Sequence, residues 1–286
     1  MTKTKITALV VAALLIGFAG SYYNTGDTGL YPKEVTLGQD SGKDVRWILP
    51  GVRNLDASLF GIPSNPLGLE KGIGVPLAGR LINSDGTAYT TTAGPTPFSD
   101  NFKAITGSFS LTASDVTNFD SKGSGDLATA EFAFTDPTGK NQYRVVLKKI
   151  IKVGPEHPVF GGVLVDGFHH GKTGIGTRLM PTVYTYAAVW GVAELYINDE
   201  LISGNRLVHI MASESVRNED DYKVLIDSEL PHKGIQTHLI LANKVATPDG
   251  PKEEAVPSQF LLPNGVEQPF IHIMFEDVIV KGLEVL

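Results

Sequence analysis

No cysteine occurs in the 286 residues, which excludes disulfides, thiol catalysis, zinc ribbons and lipoprotein attachment. Charge is also scarce: Asp, Glu, Lys and Arg together make up 19% of the chain, against about 25% in ordinary soluble domains. The charge present leans acidic, with 24 basic against 31 acidic side chains and a net charge of −7. Nucleic acids attract basic surfaces, so a nucleic-acid partner is disfavoured. No Asn-x-Ser/Thr sequon occurs. Neither His-Glu-x-x-His nor Gly-x-Ser-x-Gly is found, so the commonest zinc-protease and esterase signatures are missing. Whether the chain is an enzyme is left open.

Hydrophobic residues, by contrast, make up 42%, enough to build a core and to exclude disorder as the overall state. The clearest signal is N-terminal. Lys3 and Lys5 precede an apolar run from Ile6 to Ala19, after which the chain turns polar at Ser21, Asn24 and Asp27. A short positive region, an apolar stretch of this length and small residues at its end describe a secretory signal peptide, residues 1–19, with cleavage after Ala19. The run is shorter than the roughly 20 residues of a comfortable membrane span, and an uncleaved N-terminal anchor is the alternative. Either way the folded part is expected outside the cytoplasm, periplasmic or extracellular, and the missing sequons and disulfides suit a bacterial or archaeal envelope protein.

With 31 glycines and 17 prolines the mature chain reads as short apolar runs separated by turns. Residues 20–45 are expected to be an irregular polar lead-in, and 45–79 loop-like. Hairpin turns are expected at Asn83–Gly86, Asp136–Gly139 and Asn198–Glu200. Strands are expected around Phe109 and Leu111 and over 78–82, 88–91, 127–134, 143–153, 159–165, 182–190, 192–197, 207–212, 222–226, 238–241 and 270–280. No apolar pattern at helical spacing is seen beyond the signal peptide, which predicts an all-β fold of sandwich-like antiparallel sheets, with a barrel as the alternative. Residues 46–286 form this β region, which divides into two β units near Gly154-Pro155 if it divides at all.

Two motif fragments fail on chemistry. Gly171-Lys172-Thr173 resembles the end of a phosphate-binding loop, but Asp166 stands where its first glycine is needed and no helix follows. Asp27-Thr28-Gly29 and Asp40-Ser41-Gly42 resemble aspartic-protease triplets, yet they lie too close together for two lobes and read as polar turns. Glu219-Asp220-Asp221 and the loop from Asp249 to Glu254 lack the ligand spacing of a calcium loop.

Two constellations carry chemistry. Tyr184, Tyr186 and Trp190 are expected on one strand face, where exposure would make a sugar-stacking platform and burial an ordinary core. Six of the seven histidines lie beyond residue 168. His209, His238 and His272 fall inside expected strands, with His169 and His170 in a loop nearby. Three neutral imidazoles suit zinc, copper or nickel, and Glu276 shares the strand face of His272, where a carboxylate can orient an imidazole. Met211 and Met274 would add soft sulfur. The functional expectation is an exported envelope or extracellular binding or structural module with an envelope or glycan partner. The alternatives are a glycan-binding or glycan-hydrolysing module, and a histidine-based protein with a transition metal as its cofactor.

Overall fold

A computed structural model describes residues 31–69, 74–116, 124–152 and 162–283. The signal peptide, residues 20–30 of the lead-in and the boundary near residue 154 lie outside the described residues. The described chain is all-β. Its elements in order are β1 (Lys33–Gln39), β2 (Val45–Ile48), the one-turn α1 (Ala57–Phe60), β3 (Gly61–Ile62), β4 (Asn65–Pro66), β5 (Arg80–Ile82), β6 (Tyr89–Thr92) and β7 (Phe102–Ile105). There follow β8 (Gly107–Asp115), β9 (Leu127–Thr135), β10 (Gln142–Ile150), β11 (Val163–His169), β12 (Val183–Ile197) and β13 (Glu200–Ser213). The last four are β14 (Gln236–Thr247), β15 (Gly250–Glu253), β16 (Ile271–Phe275) and β17 (Ile279–Lys281). No helix among the described residues is long and apolar enough to cross a membrane.

Thirteen strands form a single antiparallel sheet in the order β17-β1-β8-β9-β10-β12-β13-β14-β16-β2-β7, with β11 added to β12 and β15 to β14. The sheet curls into a half-barrel. Phe275 on β16 lies five strands away from β9 in hydrogen-bonding order. Its ring centroid is nonetheless 5.6 Å from Phe132 on β9 and 4.9 Å from Phe109 on β8. Trp47 on β2 likewise meets Phe134 and Tyr143 across the interior, at 6.0 and 5.4 Å. One sheet therefore supplies both walls of its own core, as two sheets do in a sandwich. The indole N–H of Trp47 donates to Gln268 and the Tyr143 hydroxyl to the Ser258 carbonyl, so these two polar handles are satisfied inside the core.

A second apolar layer covers the other face of the sheet. Leu55, Phe60 and Phe98 from the segment between β2 and β7, Met180 from the β11–β12 connection, and Val216 and Val224 from the β13–β14 connection pack on Ala188, Trp190, Met211 and Ile240 of the sheet.

The three turns form where expected. Gly86 and Gly139 take positive φ of 76° and 70°, while Asn198 and Asp199 take 52° and 66°, the backbone of a tight two-residue hairpin. The lead-in is the first correction. Lys33–Gln39 is a strand whose Val35 and Leu37 point inward between exposed Glu34 and Thr36. The loop-like stretch 45–79 contains β2 and α1. The break expected at Gly191, between 182–190 and 192–197, is absent: β12 runs through it, and the position takes glycine because a Cβ there would lie 2.4 Å from the Leu147 side chain and 2.7 Å from the Lys149 carbonyl. Residues 222–226 contribute only an isolated bridge between Arg217 and Val224. The last expected strand is divided into β16 and β17, with Glu276, Asp277 and Val278 between them.

Candidate functional site

Strand pairing decides which of the expected residues meet. On the covered face of the sheet, Met211 on β13 and Met274 on β16 both sit opposite His238 on β14. Trp190 pairs with His209, and Ile240 lies between His209 and His272. His169 ends β11 and His170 begins the connection to β12. The five histidines His169, His170, His209, His238 and His272 thus gather in one layer, between 0% and 4% exposed. Of the other two, exposed His232 pairs with Glu214 at 2.9 Å, and His157 lies outside the described residues.

Hydrogen bonding assigns the tautomers of one pair. His272 Nδ1 is 2.7 Å from the carbonyl oxygen of Pro97. A carbonyl only accepts, so Nδ1 carries the proton and, in a neutral ring, Nε2 is the acceptor. His238 Nδ1 lies 3.1 Å from that Nε2 and must donate to it. His238 Nε2 is then an acceptor, 3.1 Å from the side-chain nitrogen of Gln236, which donates. One backbone carbonyl thereby orders a chain of three hydrogen bonds through two neutral imidazoles and leaves neither ring a lone pair for a metal. Burial is the main cause that keeps both rings neutral, pulling His272 down to about 3 and His238 well below the usual histidine value. The nearby Arg217 guanidinium lowers both further.

The remaining histidines are arranged otherwise. His170 Nδ1 accepts the backbone N–H of Thr177 at 3.1 Å, which puts the proton of a neutral ring on Nε2. His209 Nδ1 donates to the Val189 carbonyl at 3.2 Å, leaving its Nε2 lone pair buried and without a hydrogen bond. Both ring nitrogens of His169 are buried and without a hydrogen bond. The Trp190 ring lies against both, 4.7 Å from His209 and 5.1 Å from His169. Burial takes His170 down to about 3 and His209 to about 4. The layer therefore offers two imidazole lone pairs, one on His209 and one on His169, fewer than a zinc site requires. Among the described residues no group of three or more His, Cys, Asp or Glu is placed to hold a metal ion.

Glu276 follows β16 and accepts a hydrogen bond from the Tyr222 hydroxyl. Burial raises its pKa. The phenol of Tyr222 is also raised, first by burial and then by the Glu276 charge. Tyr222 lies beneath two cations, with the guanidinium carbons of Arg217 and Arg46 at 4.9 and 5.5 Å from its ring.

The aromatic trio is divided. The pairing of β12 with β13 shifts between Thr185 and Ala187, and such a bulge reverses the inward–outward alternation beyond it. Tyr184 and Tyr186 consequently pack toward the half-barrel interior while Trp190 packs in the covering layer. Tyr186 and Trp190 are buried, and the Tyr184 hydroxyl donates to Asp166. The expected shared face is absent.

Four buried arginines, Arg53, Arg80, Arg206 and Arg217, escaped the sequence reading, and three of them hold the covering segments. Arg53 donates to the carbonyls of Leu179 and Val224, and Arg217 to those of Ser99 and Tyr222. Arg80 reaches the carbonyls of Phe60, Leu67, Gly68 and Val75. Each guanidinium spans several carbonyls of the covering segments, a role its fork of five donors allows. Nothing in the neighbouring sequence marks these arginines. No protein-family model, curated protein or solved structure matches this chain.

Proposed function

We propose that this chain is an exported envelope or extracellular module with a binding or structural role and no catalytic centre in its histidine layer. The observation that carries this reading is the Gln236–His238–His272–Pro97 chain, in which the residues best suited to chemistry are used up in joining the sheet to its covering segment. A nucleophile or general base needs access to a substrate and a pKa near the working pH. These imidazoles are buried and shifted far to the acid side.

The place for a ligand is an open groove of about 710 Å³ lined by Leu49, Pro50, Pro95, Phe102 and Leu262, with Asp100 and Lys103 among its polar groups. It adjoins β7, which ends the hydrogen-bonding order of the sheet. An edge strand presents unpaired backbone groups, to which an extended segment can add.

The test is metal titration of the full chain. Zinc or copper should leave the melting temperature unchanged, and native material should hold less than about a tenth of an equivalent of transition metal, since tight binding to the folded state must raise stability. A rise of several degrees would overturn the reading.

A further inference from the structure

Lys33 is placed unlike an ordinary lysine. Lysines keep their charged heads in water and are almost never buried unless paired, yet Lys33, the first residue of β1, is 8% exposed. Its Nζ lies 2.9 Å from Oδ2 of Asp166 on β11 and 3.4 Å from the carbonyl oxygen of the same residue. The two residues are 133 positions apart in sequence. Their strands are not hydrogen-bonded neighbours, since β1 pairs with β8 and β17 and β11 with β12. The centroid of the Tyr31 ring is 5.4 Å from the same Nζ. A second carboxylate stands on the other side. Asp115, 5% exposed, is directly opposite Lys33 in the β1–β8 register, where facing Cβ atoms are about 4.5–5.5 Å apart. Its Oδ2 accepts the N–H of Val165, the residue before Asp166.

The Asp166 carboxylate is held as firmly as the amine. Asp166 has a φ of 62°, in the left-handed region that few residues other than glycine enter. The β11–β12 ladder passes over it between Val165 and Gly167. Its Oδ1 accepts the Tyr184 hydroxyl. Burial first, and then this hydrogen bond, raise the Tyr184 phenol, which keeps the proton it donates. An amine, the carboxyl group it touches, a carboxylate able to take a proton and a hydroxyl able to give one thus meet at one place. Those are the parts that acyl transfer to a nitrogen nucleophile requires.

We propose that Lys33 and Asp166 react with each other to form an intramolecular amide, an isopeptide tie between β1 and β11. Asp115 takes one proton from the ammonium, and the neutral nitrogen attacks Cγ of Asp166. The N–C bond forms as one C–O bond breaks. The departing oxygen leaves as water, with one proton from the nitrogen and one from Tyr184, whose hydroxyl is restored by the proton that Asp115 took. The nitrogen keeps its third proton, and a cation and an anion become one neutral amide without any co-reactant. Fixed contact supplies the effective concentration that a free amine and acid lack in water. The bond closes a long loop in a chain that has no cysteine to close one. The inference is independent of the export reading.

The test is the intact mass of the full chain, folded, incubated and then denatured, beside Lys33→Arg and Asp166→Ala. Arginine keeps the charge at position 33, but its guanidinium stays protonated and does not attack a carboxyl group. The expected result is a wild-type chain one water lighter than its sequence, both variants at full mass, and a digest in which the peptides holding Lys33 and Asp166 are joined. A wild-type chain of full mass that unfolds cooperatively in urea overturns the proposal, whatever the variants do. A water deficit that persists in Lys33→Arg overturns it as well, because it belongs to ring closure at an Asp-Gly step such as Asp166-Gly167.

Discussion

His272 and His169 are both completely buried, but their hydrogen-bonding inventories are opposite. His272 uses both nitrogens, donating to Pro97 and accepting from His238. His169 uses neither. Removing one partner from a satisfied buried pair leaves the other desolvated, at a cost of about 1–3 kcal/mol for each abandoned group, and the lost ring adds a cavity penalty. His272→Ala strands the Pro97 carbonyl and the His238 N–H together, so it is expected to lower unfolding free energy by about 3 kcal/mol or more in urea titration. His169→Phe should do the reverse. It replaces two unpaired nitrogens by carbon in a slot already against Trp190, with an expected gain of about 1 kcal/mol. A loss on His169→Phe would mean that this ring has a polar partner after all. The same bookkeeping explains why a list of histidines misled: residue type announces ligand capacity, whereas the carbonyl of Pro97, 175 residues away in sequence, decides whether that capacity is already spent.

At the scale of elements, backbone angles rather than side-chain chemistry make the firmest signals. The β12–β13 hairpin turns on Asn198 and Asp199, both left-handed, a conformation that costs most L-residues roughly 1–2 kcal/mol and glycine almost nothing. Asp199→Val is therefore expected to lower stability by about 1–2 kcal/mol and Asp199→Gly to leave it level or slightly raised, both read from thermal unfolding. Equal effects of the two would show that the turn tolerates a β-branched residue. Turns of this kind were legible because they depend on two or three adjacent residues, as at Asn83–Gly86 and Asp136–Gly139. Strand faces were legible only where pairing is regular. Val35 and Leu37 alternate cleanly in β1, yet their polar neighbours made the segment read as a lead-in. The bulge after Thr185 is invisible in the residues themselves, because it is a property of β12 and β13 together, and it separates Trp190 from Tyr184 and Tyr186. Arg53, Arg80 and Arg217 were illegible for the same reason: their partners are backbone carbonyls from remote segments, which leave no mark in side-chain identity.

For the whole molecule, the five buried histidines act together through protons. A histidine whose folded pKa lies below its unfolded value of about 6.5 binds fewer protons when folded, so unfolding takes up protons between the two values. Stability from neutral histidines is therefore complete above about pH 6.5 and falls as pH drops toward the folded values. Those values are about 3 for His170 and His272 and about 4 for His209, with His169 and His238 displaced in the same direction. Within that window each ring withdraws about 1.4 kcal/mol per pH unit, a steep dependence when several do so at once. Glu276, held protonated by burial to higher pH than an ordinary carboxylate, acts in the opposite sense but is a single group. The curled sheet gives these protons structural meaning, since the histidine layer joins it to the segments that cover its outer face. Charging His272 turns its Nε2 from the acceptor of the His238 N–H into a second donor facing it. The expected outcome is a urea midpoint nearly constant from pH 8 to 7 that drops sharply between pH 6 and 4.5. The variant His272→Gln should show a lower midpoint and a shallower pH slope by about one proton. A wild-type midpoint that is flat down to pH 5 would mean that the layer admits water and titrates as exposed histidines do.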